Sequence, residues 1–100
     1  MRRISWAPEK ERKNIRKHGI DFKTAATVFD DPFQVNAQDR FENGEYRWQT
    51  IGFAAGRHLL LLVAHTMIDE ETGDEYIRII SARRASPKDK KRYEMGERGF

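Results

Sequence analysis

The 100-residue chain contains no cysteine, which excludes disulfide staples and thiolate metal sites and is compatible with a reducing compartment. Long apolar runs are missing too. The longest, Leu59 to Ala64, is far too short for a bilayer span, and no apolar signal region follows the charged N-terminus. The expectation is a soluble, cytoplasmic protein with no membrane contact. There is no glycine-rich phosphate loop, no zinc signature, no Ser-His-Asp order suited to a hydrolytic triad, and no repeat, linker or low-complexity stretch. One hundred residues leave room for one core, so residues 1–100 are read as a single domain.

What the chain does have is charge, and it is unevenly placed. Residues 1–23 carry eight Lys/Arg against three Asp/Glu, residues 76–100 again eight against three, and residues 24–75 only three against ten. If the two basic segments meet in the fold, they form one surface suited to a polyanion, with the acidic middle set apart from it. A solvated charged face is the plainer reading of the same asymmetry.

Local signals give an α+β order. Ile4-Ser5-Trp6 is a possible short edge strand, Pro8 suits the first turn of a helix through His18, and Gly19 supplies a left-handed stop. Asp21 can cap a second helix, on which Phe22, Ala25, Ala26 and Phe29 form one apolar stripe before Asp30-Asp31-Pro32 ends it. Four strands are predicted at Phe33–Gln38, Glu45–Phe53, His58–Thr66 and Glu75–Arg84, joined by Asn43-Gly44, Ala55-Gly56 and an acidic loop over 69–74. Short sequential connections predict an antiparallel meander. Ser86-Pro87-Lys88-Asp89 opens a last helix reaching Glu94 or Met95, with Ser86 as cap.

The strand around Tyr76–Ala85 is unusual, being of buried type and yet carrying Arg78, Arg83 and Arg84. Guanidinium groups on a rigid element can grip a phosphate bidentately; they can equally form ion pairs at a sheet edge. Plain alternation puts Arg78 and Arg83 on opposite faces. A shared site therefore requires a bulge near Ser81-Ala82.

Other polar residues have ordinary readings beside chemical ones. His58 and His65 are placed on one predicted strand, seven residues apart and facing opposite ways, which suits packed or surface roles. His18 shares a helix face with Asn14 and Ile15 and can simply dock there, or it can move protons. Asp30, Asp31 and Asp69-Glu70-Glu71 fit turns better than a cation site. Glu45 and Arg47 lie two apart on one strand face, as a base with its partner or as a structural pair.

Several segments together resemble the BrnT toxins of bacterial type II toxin–antitoxin modules, within the RelE-like ribonuclease toxins. They are Trp6 with Lys10 and Asn14, Lys17-His18-Gly19-Ile20-Asp21-Phe22, Val28-Phe29-Asp30-Asp31-Pro32, Gly44-Glu45 with Arg47 and Gly52, Arg78-Ile79-Ile80-Ser81-Ala82-Arg83, and Arg92-Tyr93-Glu94. The resemblance covers nearly the whole chain. It departs at Ala7, where the family commonly has an acidic residue that would cap the first helix, and at the lysines preceding Arg92, where a Glu is common.

The resemblance implies a RelE-like fold and an endoribonuclease that inhibits translation, using the substrate's own 2′-OH as nucleophile and needing no metal or other cofactor. It also implies a cognate antitoxin of ribbon-helix-helix type (BrnA-like), with promoter DNA reached only through the complex. Arg83, Arg47 and Arg78 are then expected at the phosphate, with His18 or Glu45 moving protons. Lys17, Arg57, Arg84, Lys88, Lys91 and Arg92 are expected on the RNA backbone, and Tyr93 against a base. A non-enzymatic nucleic-acid-binding module and a RelE-like toxin acting on DNA gyrase remain alternatives.

Overall fold

Most elements begin and end where local chemistry places them. The computed structural model describes residues 1–56 and 58–96. Its elements are β1 (Arg2–Trp6), α1 (Pro8–His18), α2 (Phe22–Ala26) continued by a 3-10 turn (Thr27–Asp30), β2 (Val35–Glu42), β3 (Glu45–Phe53), β4 (Leu60–Asp69), β5 (Glu75–Arg84) and α3 (Pro87–Met95). Ala7 gives α1 no side-chain cap, whereas Gly19 closes the helix at φ 72°, a conformation that costs little only without a Cβ. Asp21 caps α2 by accepting from the Thr24 N–H at 2.7 Å. That bond is the largest cause holding its carboxyl below the usual range. Ser86 and Asp89 form a reciprocal capping box on α3.

The sheet has five strands in the order β1-β5-β4-β3-β2. The antiparallel meander is present as β2-β3-β4-β5, but the sheet is mixed: the possible edge strand is a full fifth member, and β1 pairs parallel to β5 from Arg2↔Glu75 to Trp6↔Ile79. Two-residue periodicity marks a strand but says nothing about which distant strand it joins. The second helix is also shorter than expected. After Ala26 it tightens to 3-10, with the Thr27 hydroxyl donating to Thr24 O at 2.6 Å. β2 starts at Val35 rather than Phe33, because Asp31 accepts the Phe33 N–H and turns the chain there. β4 starts at Leu60 rather than His58, after the Ala54 N–H to Leu59 O bond that closes the connection.

One sheet face is covered by α1, α2 and the 3-10 turn, and the main core forms between them. Phe22, Ala25, Val28 and Phe29 from the helical side meet Leu61, Val63, Ile77, Ile79 and Ala82 from the sheet. Here Gly52 permits the closest approach: a Cβ on it would lie 2.8 Å from Val28 Cγ1 and 3.3 Å from the Val28 carbonyl oxygen. The opposite face has a smaller cluster of Val35, Ile51 and Leu62, with Tyr93 of α3 packed against it. No helix of the described residues is long and apolar enough to cross a membrane.

Past Trp6, β5 runs on without β1 beside it. Asn14 of α1 takes over that edge: its Nδ2 donates to Ala82 O at 2.9 Å and its Oδ1 accepts the Ala82 N–H at 3.0 Å. The same Nδ2 donates to Ile20 O at 2.9 Å. A buried side-chain amide thus does for Ala82 what a neighbouring peptide would do, fixing helix to sheet and satisfying backbone groups otherwise left unpaired.

His65 is fully buried between the sheet and Phe29, whose ring meets it edge-on at 4.9 Å. Its Nε2 lies 2.7 Å from Thr50 Oγ1, which in turn accepts from Asn36 Nδ2 at 2.8 Å, and its Nδ1 lies 3.1 Å from Thr66 O. A neutral ring with its proton on Nδ1 satisfies the whole chain of bonds. Burial pushes its pKa down to about 4 from an ordinary 6.5, despite the opposing Thr66 carbonyl. With the folded value below the unfolded one, this ring's contribution is complete above pH 6.5 and is lost as the pH falls towards 4, by about 3 kcal/mol. Denaturant midpoints measured between pH 7 and 4 should fall steadily across that window. A flat profile would contradict a neutral buried ring.

Candidate active site

A bulge in β5 decides which side chains share a face. His65 pairs with Ile79 and Ala64 with Ser81, so Ile80 is an extra residue on β5. It falls one residue before the position expected from the sequence. Ile77, Ile79 and Ala82 are consequently all buried beneath the helices, while Arg78 before the bulge and Ser81 and Arg83 after it lie together on the open face.

Across the sheet, Arg78 is opposite Thr66, and Thr66 is opposite Arg47. Glu45, two residues before Arg47 on the same strand face, holds the row together. Its Oε1 accepts from Arg78 Nη2 at 2.5 Å and lies 3.6 Å from Arg47 Nη2. Arg47 is the most enclosed of the three, with 18% of its side chain exposed. Its Nε is buried without a hydrogen-bond partner among the described residues. A buried N–H of a cation without an acceptor is costly unless something arrives to accept it.

Arg83 stands further along the face, opposite Leu62, four residues of β4 from the Thr66 row. That spacing is about 13 Å between backbones, and Ser81, Ala64 and Gln49 form the low row between the two ends. Arg83 Nη1 donates to Asp89 Oδ2 at 2.8 Å, and only 5% of the Asp89 side chain is exposed. Burial raises the Asp89 pKa, but the Ser86 N–H and the Arg83 guanidinium outweigh it and hold the carboxyl below its usual range. One carboxylate therefore caps α3 and anchors Arg83, leaving the rest of that guanidinium facing solvent.

The other residues expected at the site are spread more widely. His18 ends α1 on the helix-covered side, and among the described residues no hydrogen bond or ion pair joins it to Glu45, Arg47 or Arg78. Lys17 is exposed beside it, and Arg84 is exposed at the end of β5. Lys88 and Lys91 are exposed on α3 and Arg92 is half-buried there. Tyr93 donates to Asp31 Oδ2 at 2.7 Å and meets Phe53 edge-on at 5.3 Å, so it acts first as a packing residue. Arg57 lies outside the described residues. His58 is exposed and precedes β4, and His65 is packed in the core.

Sequence reasoning missed Asn14 as the clamp on β5, Asp89 as the partner of Arg83, and the low row of Gln49, Ala64 and Ser81. An Asn among charged residues on a helix with hardly any aliphatics was the available signal for the first. The basic segments do meet, through β1 beside β5 and α1 against it. Concavities of about 460 and 480 Å³ lie elsewhere, one beside Phe29, Asn36 and Met67, the other beside Phe33, Phe53 and Tyr93. A polymer laid across a sheet needs exposed charge rather than a pocket, so the arginine face remains the stronger candidate.

A family model described as "Ribonuclease toxin, BrnT, of type II toxin-antitoxin system" matches residues 6–89. No curated protein matches the chain.

Proposed function

The chain belongs to the BrnT family of type II toxin–antitoxin ribonuclease toxins, and on that footing we propose that it cleaves RNA on the open face of the sheet without a metal ion. The observation that supports this most directly is the bulge at Ile80, which puts Arg78 and Arg83 on the face that holds Arg47 and Glu45. The ribose 2′-OH attacks the adjacent phosphorus, its proton passes to a base, and the 5′ oxygen departs with a proton, leaving a 2′,3′-cyclic phosphate. The crowded phosphate gains negative charge on the way. Arg47 and Arg78 neutralise it at one end of the face, and Arg83 holds the strand at the other.

Glu45 is the better-placed proton acceptor, since it lies between the two arginines while His18 is at the end of α1. Lys88 and Lys91 on α3 extend the backbone contact from the Arg83 end, with Lys17 and Arg84 contributing charge at the margin. In the cell this activity inhibits translation in the cytoplasm. A cognate ribbon-helix-helix antitoxin neutralises it by covering the basic face and carries the complex to promoter DNA.

Incubating the purified chain with RNA in EDTA should yield new 5′-OH and cyclic-phosphate ends. A cognate ribbon-helix-helix antitoxin should stop the reaction when added. RNA that is bound but left intact would favour a non-enzymatic module, and intact RNA with a supercoiling defect would point to gyrase.

A further inference from the structure

The arginine row has an uncovered neighbour. Two residues before Arg78 on β5 is Tyr76, and two residues after Thr66 on β4 is Ile68; the two are directly opposite each other. Arg3 of β1 faces Tyr76 from the other side. Because all of this lies before the bulge, Tyr76 and Ile68 share the face of Arg78 and Thr66. Tyr76 is 38% and Ile68 59% exposed, and α3 packs on β3 through Tyr93 and Phe53, at the far end of this face. An aromatic ring with an aliphatic neighbour is thus left bare on a face whose next row holds three guanidiniums, those of Arg40, Arg47 and Arg78.

We infer that Tyr76, flanked by Ile68 and Arg3, is a stacking platform for a base of single-stranded RNA next to the phosphate held by Arg47 and Arg78. The inference rests on the ribonuclease reading and adds a base subsite to it. The separation supports it, because two residues along a strand are about 7 Å, comparable with the reach from a phosphate to its own base. Charge supports it as well: Arg3 and Arg78 flank the ring along and across the strand, so an anionic backbone can follow the row while a base lies flat on the ring. Stacking on an aromatic ring tolerates any base, so the platform fixes the strand's position without fixing its sequence. A cross-strand packing pair is the rival reading, and it predicts no role in binding RNA.

The test pairs cleavage of plain RNA with binding of a fluorescent 2′-O-methyl oligonucleotide, which cannot be cleaved by its own 2′-OH. Tyr76→Ala should weaken binding of that probe roughly ten-fold or more and raise KM on plain RNA in step. Tyr76→Phe, which keeps the ring, should stay within about two-fold of the parent. Tyr46, 55% exposed on the opposite face and next to Phe41, provides the control: Tyr46→Ala should leave RNA binding unchanged. Thermal melts of all three variants report whether each is folded.

Unchanged probe binding by folded Tyr76→Ala overturns the platform, including the case in which only antitoxin binding is lost. Equal losses in Tyr76→Ala and Tyr76→Phe overturn it also, since the hydroxyl would then be the contact. Absence of new RNA ends from the parent protein overturns the ribonuclease reading instead, and the probe then reports on the platform separately.

Discussion

Arg78→Ala should lower RNA cleavage about 100-fold or more and leave the fold in place. The size follows from removing one donor aimed at a developing oxyanion, a loss of about 3 kcal/mol of transition-state stabilisation. Survival of the fold follows from exposure: 49% of the Arg78 side chain is in solvent, and its ion pair with Glu45 is at the surface, where such pairs contribute about 1 kcal/mol or less. Arg78→Lys should rescue little, because an ammonium lacks the planar fork. Glu45→Gln separates two roles for the carboxylate. If Glu45 accepts the proton, the variant loses both rate and the rising limb of the pH–rate profile. If Glu45 only holds the arginines, the limb stays and the rate falls modestly. Cleavage by Arg78→Ala at the parent rate, in a preparation with the parent melting curve, would remove Arg78 from the site.

Asn14→Ala should produce the largest loss of stability, about 3 kcal/mol, because three hydrogen bonds end on that one buried amide and their backbone partners would be left unmatched. For a domain of this size that corresponds to a fall in Tm of roughly 12 to 24 °C. Asn14→Asp makes a sharper comparison. It keeps the oxygen that accepts the Ala82 N–H, loses both donations, and puts a carboxylate next to two carbonyl oxygens. It should be at least as destabilising as Asn14→Ala at neutral pH and recover in mild acid. A melting temperature within a few degrees of the parent for Asn14→Ala would show that water replaces the amide and that the clamp is dispensable.

The contrast between these residues shows what the sequence disclosed. β3 and β5 span the predicted residues, Glu45–Phe53 and Glu75–Arg84, because alternation and turn residues are local signals. The Gly19 stop, the Asp21 cap and the Ser86 cap are equally local and were equally legible. The parallel union of β1 with β5 is not local; nothing in Arg2–Trp6 records that its partner begins at Glu75. Asn14 belongs with it, since its role exists only because β1 stops at Trp6 and leaves the Ala82 peptide without a strand partner on that edge. For the site, residue types pointed to arginines on a strand, and the need for a bulge followed from counting faces. Its position at Ile80 did not, because Ile80 and Ser81 tolerate either face.

The parallel pairing also sets an order of events during synthesis. Arg2 to Trp6 leave the ribosome before the other strands, but their sheet partners are residues 75 to 79, so β1 waits for β5. A nascent chain that has emerged only through β4 holds Glu45 and Arg47 without Arg78 or Arg83, and with nothing for β1 to join. Closing so long a loop is the slow, entropy-limited part of folding. For a protein that attacks RNA this timing is a built-in delay: the arginine face cannot exist until β5 has left the exit tunnel.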